Sequence, residues 1–308
     1  ILSSEKTKPL LPSIAAYLDK AGNTSNDDNS NFRGQNAVVL GIEGSQTSIK
    51  NSNITSSSIG SNAVFATEGA HSATLATDRG EGTITAEAAK LITSGEGSPV
   101  IYSTGNIMVN NVNGIANNSE IGVVEGKNSI TLTNSNVTGY KDNGFMLYQS
   151  FSGDAESGIA RLKAENNTLT THATGAFLYV NNTTAEVDLS NNAISMPNTS
   201  TLVKAAADSR WGKTGENGGH LTLRTSNQEL SGNIMADSIS TIALDMTNGS
   251  SLVGAVNTDN AAKEVTVKLS KDSNWILTGD SYIKSLNNED TTGSNIHLNG
   301  YKLVVADK

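Results

Sequence analysis

The chain has no cysteine, so neither a disulfide framework nor a thiolate metal site is available to it. Basic residues are scarce, with 21 Lys and Arg against 30 Asp and Glu and a formal net charge of −9. Grip on a phosphate backbone needs clustered Lys and Arg, so nucleic acid is not an expected partner. No apolar run approaches the roughly 18 residues that cross a bilayer, and no membrane insertion is expected. Only four His are present, and none stands in the HExxH spacing that zinc requires. The chain opens at Ile1 without an initiating Met, which is the expectation for a mature or trimmed form whose signal peptide or anchor is gone.

Charged residues make up 17% of the chain and hydrophobic residues 36%, both low, while Asn, Ser, Thr and 29 Gly fill the difference. Such a mixture suits disorder, and it equally suits many short strands joined by tight turns. A repeat decides between them. The pattern apolar, any, apolar, any, usually Asn, then another apolar residue three places on occurs six times. It reads Thr47, Ile49, Asn51, Ile54; Ile84, Ala86, Ala88, Leu91; Ile107, Val109, Asn111, Gly114; Ile130, Leu132, Asn134, Val137; Leu162, Ala164, Asn166, Leu169; and Val187, Leu189, Asn191, Ile194. Successive starts lie 37, 23, 23, 32 and 25 residues apart, a unit of about 23 residues with insertions, and a period of that size means a solenoid.

Within each unit the alternation is that of a strand with one buried face. The Asn falls where the chain must turn, because Asn tolerates the left-handed conformation; stacked on successive coils, these amides are expected to form a ladder. A third apolar segment follows eight to ten residues later, as at Val100, Val123, Met146, Phe177 and Leu202. Three short strands per coil describe a parallel β-helix. Toward the C-terminus Ile242, Leu244 and Leu252 return as Val265, Val267 and Trp275. The helix is therefore expected to run to about residue 285, with a last strand at Tyr301, Leu303 and Val305. Residues 1–33 read as a capping segment and loop, with Pro12 placed to start a short helix, and 34–308 as the β-helix with its C-terminal cap.

The coil strings Ile130 to Val137 and Val187 to Ile194, with Trp275-Ile-Leu-Thr-Gly-Asp280, resemble bacterial extracellular right-handed β-helix proteins. These are the adhesin-like surface proteins of gut bacteria and, more distantly, autotransporter passengers and pectate-lyase-like enzymes. The resemblance spans about Asn36 to Val305. The fold class is thus an all-β, single-stranded, right-handed parallel β-helix of about ten coils with terminal caps. Handedness comes from the resemblance and from the preference of parallel crossovers. A secreted or cell-surface location is implied in the same way.

Function is sought in the insertions. Residues 66 to 82, 149 to 160 and 205 to 220 all follow a third strand and are expected to form a rim on one edge of the rod. The rim carries Glu68, His71, Asp78, Arg79 and Glu81; Asp154 and Glu156; and Asp208, Arg210, Trp211 and His220. Carboxylates with Arg and Trp suit a carbohydrate, and they are also what solvated loops contain. Beside the rim, a column of Tyr102, Glu125, Tyr148, Tyr179 and Lys204 is expected to face outward, next to Val100, Met146 and Phe177. Either inserted loops cover that stripe, or it is a ligand platform. Ligand-binding candidates are therefore Tyr102, Tyr148, Tyr179, Trp211, Asp154, Glu156 and His220. For an enzyme the candidates are Asp78, Arg79, Asp208 and Arg210. No cofactor is expected; Ca²⁺ on Asp27, Asp28 or Asp154 is the alternative. The leading expectation is an adhesin-like, non-catalytic module that binds an extended glycan or a host surface protein. A polysaccharide lyase or glycoside hydrolase at the rim is the alternative, and a structural stalk the second.

Overall fold

A computed structural model describes residues 16–17, 36–42, 44–67, 82–151 and 155–306. Among these residues the regular structure is strand, and the hydrogen-bonded neighbours are parallel. The chain is a parallel β-helix. Each coil contributes one strand to each of three long faces. Sheet I is continuous through ten strands, from Gln46–Lys50 to Ser285–Asn288. Sheet II runs through seven strands from Ala16–Tyr17 to Ala193–Ser195, and four more, from Glu229–Ser231 to Ile296–His297, follow it. Sheet III runs through eight strands from Val39–Gly41 to Ile234–Ala236, with the pair Ser281–Ile283 and Leu303–Val305 nearer the C-terminus.

Alternation in sheet I sends every second side chain inward. In register, Ile84, Ile107, Ile130, Leu162, Val187, Leu223, Leu244 and Val267 form one column, each nearly or fully buried. The C-terminal equivalences hold as well, since Ile242 pairs with Val265, Leu244 with Val267 and Leu252 with Trp275. Trp275 is fully buried and donates from its indole nitrogen to the Gly254 carbonyl at 3.0 Å. The coils continue beyond residue 285, because Ser285–Asn288 joins sheet I. Ala16–Tyr17, inside the segment read as a short helix, instead pairs as a strand with Ile54–Thr55. The rest of the expected N-terminal cap, Asp27 and Asp28 included, lies outside the described residues.

The corner between sheets I and II is turned the same way in eight coils. Asn51, Ala88, Asn111, Asn134, Asn166, Asn191, Asn227 and Asn248 all have φ between 48° and 57°. Asn lowers the cost of that conformation; Ala88 has no such help. The expected ladder of these amides is partial: Asn191 donates to Asn166 at 2.8 Å and Asn227 to Asn191 at 3.4 Å. A second ladder, buried, runs one residue further on, or two at Ser250, where Gly249 intervenes. There the backbone N–H of Val112 donates to Ser135 Oγ at 3.0 Å and that of Ser135 to Asn167 Oδ1 at 2.8 Å. The series continues from Asn167 N to Asn192 Oδ1 at 3.0 Å, Asn192 N to Gln228 Oε1 at 2.8 Å and Gln228 N to Ser250 Oγ at 3.2 Å. Each side chain satisfies an N–H of the preceding coil that the corner takes out of the strand ladder.

Two outcomes follow from this corner. Replacing Ala88 with Asn relieves left-handed strain and should raise stability by about 1 kcal/mol, read from the midpoint of urea unfolding. Asn192→Ala strips the partner from the buried Asn167 N–H and should lower stability by about 2 to 3 kcal/mol in the same assay.

Candidate functional site

Sheet III has a second apolar layer on its outer face. Phe65, Tyr102, Val123 and Tyr148 cluster there, with Leu40, Met146 and Trp211 packed against them. Phe65 and Tyr102 stack with ring centroids 4.5 Å apart. The outward direction expected for the tyrosines holds, but the register differs from the sequence reading. Tyr102 pairs with Val123, Val123 with Met146, Met146 with Tyr179 and Tyr179 with Lys204, while Glu125 stands beside Tyr148 in the next column. Val100 and Phe177 belong to the inner core instead. The links from sheet II to sheet III vary in length from coil to coil, so spacing along the chain could not set this register.

The stripe is not an open platform. Tyr102 is 6% exposed and Tyr148 3%. The segment 206–218, leaving sheet III toward sheet I, brings Trp211 to 5.4 Å from the Tyr148 ring, and the Arg210 guanidinium lies 4.7 Å over Trp211. Asp208 holds this loop. Its Oδ1 accepts the backbone N–H groups of Arg210 at 2.8 Å and Trp211 at 3.0 Å, and its Oδ2 accepts Tyr179 Oη at 3.2 Å. Asn217 closes the loop from below, donating to the carbonyls of Asp208 at 2.8 Å and Trp211 at 2.6 Å. Asp208 thus anchors the loop. Burial, then the Asp208 charge, push the Tyr179 phenol well above its ordinary pKa.

Between this loop and the links that lead into sheet III lies a cleft of about 400 Å³. Tyr102, Val123, Met146 and Tyr148 line its floor; Arg210 and Trp211 line one wall; Glu96, Ser119, Glu120, Lys141 and Asp142 line the other. Lys141 pairs with Glu96 at 2.6 Å. Glu120 is buried and accepts Ser119 Oγ at 2.7 Å; burial raises its pKa, and the nearby Asp142 charge adds to the rise. The structure therefore brings together Tyr102, Tyr148, Trp211 and Arg210 of the expected residues. It adds Glu96, Glu120, Lys141 and Asp142, which carry no repeat signal because they sit on the irregular links.

Others fall elsewhere. Glu156 pairs with Lys127 outside the cleft. His220 is not on the loop, since the strand Gly219–Ser226 has already begun; it pairs with Thr184 and Thr241 in sheet I, with Nδ1 3.1 Å from Thr241 Oγ1. Burial and then Lys263 lower its pKa. Asp78, Arg79 and Asp154, with Glu68, His71 and Glu81, lie outside the described residues. Among the described residues no group of three His, Asp or Glu side chains is placed to hold a metal.

Beneath the floor sits Glu125, fully buried. Its Oε2 accepts Tyr102 Oη at 2.8 Å and Tyr148 Oη at 3.1 Å, its Oε1 accepts the Ser150 N–H at 3.0 Å, and the two phenol oxygens are 2.5 Å apart. Burial raises the pKa of Glu125 against the pull of its hydrogen bonds from Ser150, Tyr102 and Tyr148. Compared with family models, curated proteins and solved structures, the chain matches none. The cleft must be read from its own chemistry.

A carboxyl whose pKa is raised by folding stabilises the folded state fully below its unfolded pKa, about 4.3, and loses that contribution as pH rises through the folded pKa. Glu125→Gln keeps a polar side chain of the same size beside the phenols and the Ser150 N–H, without the titration. The melting temperature of the wild type relative to the variant should therefore fall as pH rises above about 4.3. A constant difference would assign Glu125 an ordinary pKa.

Proposed function

We propose that this β-helix is a glycan-binding module of a secreted or cell-surface protein, adhesin-like and non-catalytic, and that the cleft on sheet III is its binding site. The observation that carries the reading is the cleft's lining. A phenolic and apolar floor faces walls of carboxylates, a hydroxyl, an ammonium and a guanidinium. Sugars present apolar C–H faces and rims of hydroxyls, and they are held by that combination of surfaces. Rigidity supports it further. The Trp211 wall is fixed by Asp208 and Asn217, so little side-chain entropy is lost on binding. The surface location rests on the resemblance of the coil strings to extracellular β-helices. A host surface protein as ligand is less well served by a cleft than by a flat outer face.

One observation favours a second reading, hydrolysis or elimination on a polysaccharide. Glu120 lines the cleft with a raised pKa beside Asp142, as a general acid would. A single assay separates the readings. The purified protein is incubated with plant, mucin and bacterial polysaccharides, with and without Ca²⁺; retention is measured by affinity electrophoresis and soluble products by mass spectrometry. Retention without shortened chains, reduced at least tenfold in Arg210→Ala and Trp211→Ala, is the expected result. Shortened chains that vanish in Glu120→Gln would replace it with the enzymatic reading, and no retention on any polymer would leave a structural stalk.

A further inference from the structure

A second surface carries a pattern that neither the fold nor the cleft uses. Among the described residues the triplet Asn-x-Asn occurs at Asn51 to Asn53, Asn111 to Asn113 and Asn134 to Asn136, each time at the corner between sheets I and II. Register aligns Asn53, Lys90, Asn113, Asn136 and Thr168 on five successive coils. Together with the turn residues they line a shallow groove of about 650 Å³ that runs along the rod.

Turn chemistry explains the first Asn of each triplet, which takes the left-handed conformation. It does not explain the second. Asn53, Asn113 and Asn136 open strands of sheet II, a setting in which Asn is disfavoured, and their φ values are not left-handed. Later coils turn the same corner without a second Asn: Asn191 and Asn227, with φ of 51° and 49°, are followed two places on by Ala193 and Glu229. Among the described residues no side-chain hydrogen bond engages the amides of Asn53, Asn113 or Asn136, and all three are exposed. Lys90 is the one charged residue among those that line the groove.

We propose that this groove binds an extended neutral polysaccharide lying along the rod, one sugar per coil. A carboxamide offers a donor and an acceptor side by side, matching a pair of neighbouring hydroxyls on a pyranose ring. Asn113 and Asn136 stand one strand spacing apart, about 4.8 Å, and Asn53 two spacings from Asn113, with the polar Lys90 and Thr168 filling the other coils; that spacing is close to the advance per sugar of a β-linked pyranose chain. A lining whose only charge is the single Lys90 gives little reason to select an acidic polymer. Five coils set the length of the site at five sugars.

The test uses the whole chain, produced in a host that does not glycosylate, because Asn53 and Asn136 each open an Asn-x-Thr triplet. Cellohexaose, xylohexaose and mannohexaose, with their shorter homologues, are titrated by calorimetry and by nitrogen-15 NMR of the side-chain amides. At least one series should bind with an affinity that rises up to the pentaose and levels there. Asn113→Ala with Asn136→Ala should weaken it at least tenfold, whereas Lys268→Ala, on a sheet I strand that lines neither the groove nor the cleft, should leave it unchanged. If the double variant melts early, each single variant should still weaken binding about threefold. The proposal is overturned if no hexaose binds at millimolar concentration, if affinity is independent of length, or if the Asn variants bind like the wild type. Loss of binding in Arg210→Ala would move the sugar to the cleft.

Discussion

One backbone conformation governs this molecule: a single residue with φ near +50° after eight of the ten sheet I strands. In eight coils it redirects the chain from sheet I to sheet II by the same angle, so the strands that follow stack in register. Its cost is met by residue choice, and seven of the eight positions are Asn. Because these coils turn alike, the side chains that follow the turn in successive coils point into the same buried corner. Ser135, Asn167, Asn192, Gln228 and Ser250 occupy that corner and accept the N–H groups that the bend removes from the strand ladder. The turn and the buried ladder thus form one device, in which strain and unmet hydrogen bonds are compensated at adjacent positions.

Surface charge contributes little beside it. Sheet I carries a column in which Lys163, Asp188, Arg224, Asp245 and Lys268 alternate in sign across five strands. The contacts are long, at 3.4 Å for Arg224 with Asp188 and 3.6 Å for Lys268 with Asp245, and the side chains are about half exposed. Such pairs are worth roughly 0 to 1 kcal/mol each. Stability lies instead in the inner columns and in aromatic fillers such as Trp275, and in Phe145 and Phe177, whose rings meet edge to face at 5.8 Å.

The solenoid's regularity also explains why chemistry collects where it does. Strand positions are repeated and constrained, while the links into and out of sheet III are free to differ between coils. Glu96, Glu120, Lys141 and Asp142 come from links on one side, Arg210 and Trp211 from a link on the other, and the cleft is the space between them. Burying Glu125 under that space needed two phenols and a backbone N–H from neighbouring coils.

The sequence by itself determined the period, the three strands per coil, the Asn corner and the C-terminal equivalences of Val265, Val267 and Trp275. Those rest on local rules, namely alternation of apolar residues and the conformational preference of Asn, and each can be read within one repeat. Only the tertiary structure decided the register of sheet III, the partners of Glu125, the loop role of Asp208 and the place of His220 in a strand. The reason is physical: links of unequal length carry no periodic signal, and the strand that follows is fixed by hydrogen bonds to the neighbouring coil, about 23 residues away along the chain but about 4.8 Å away in space.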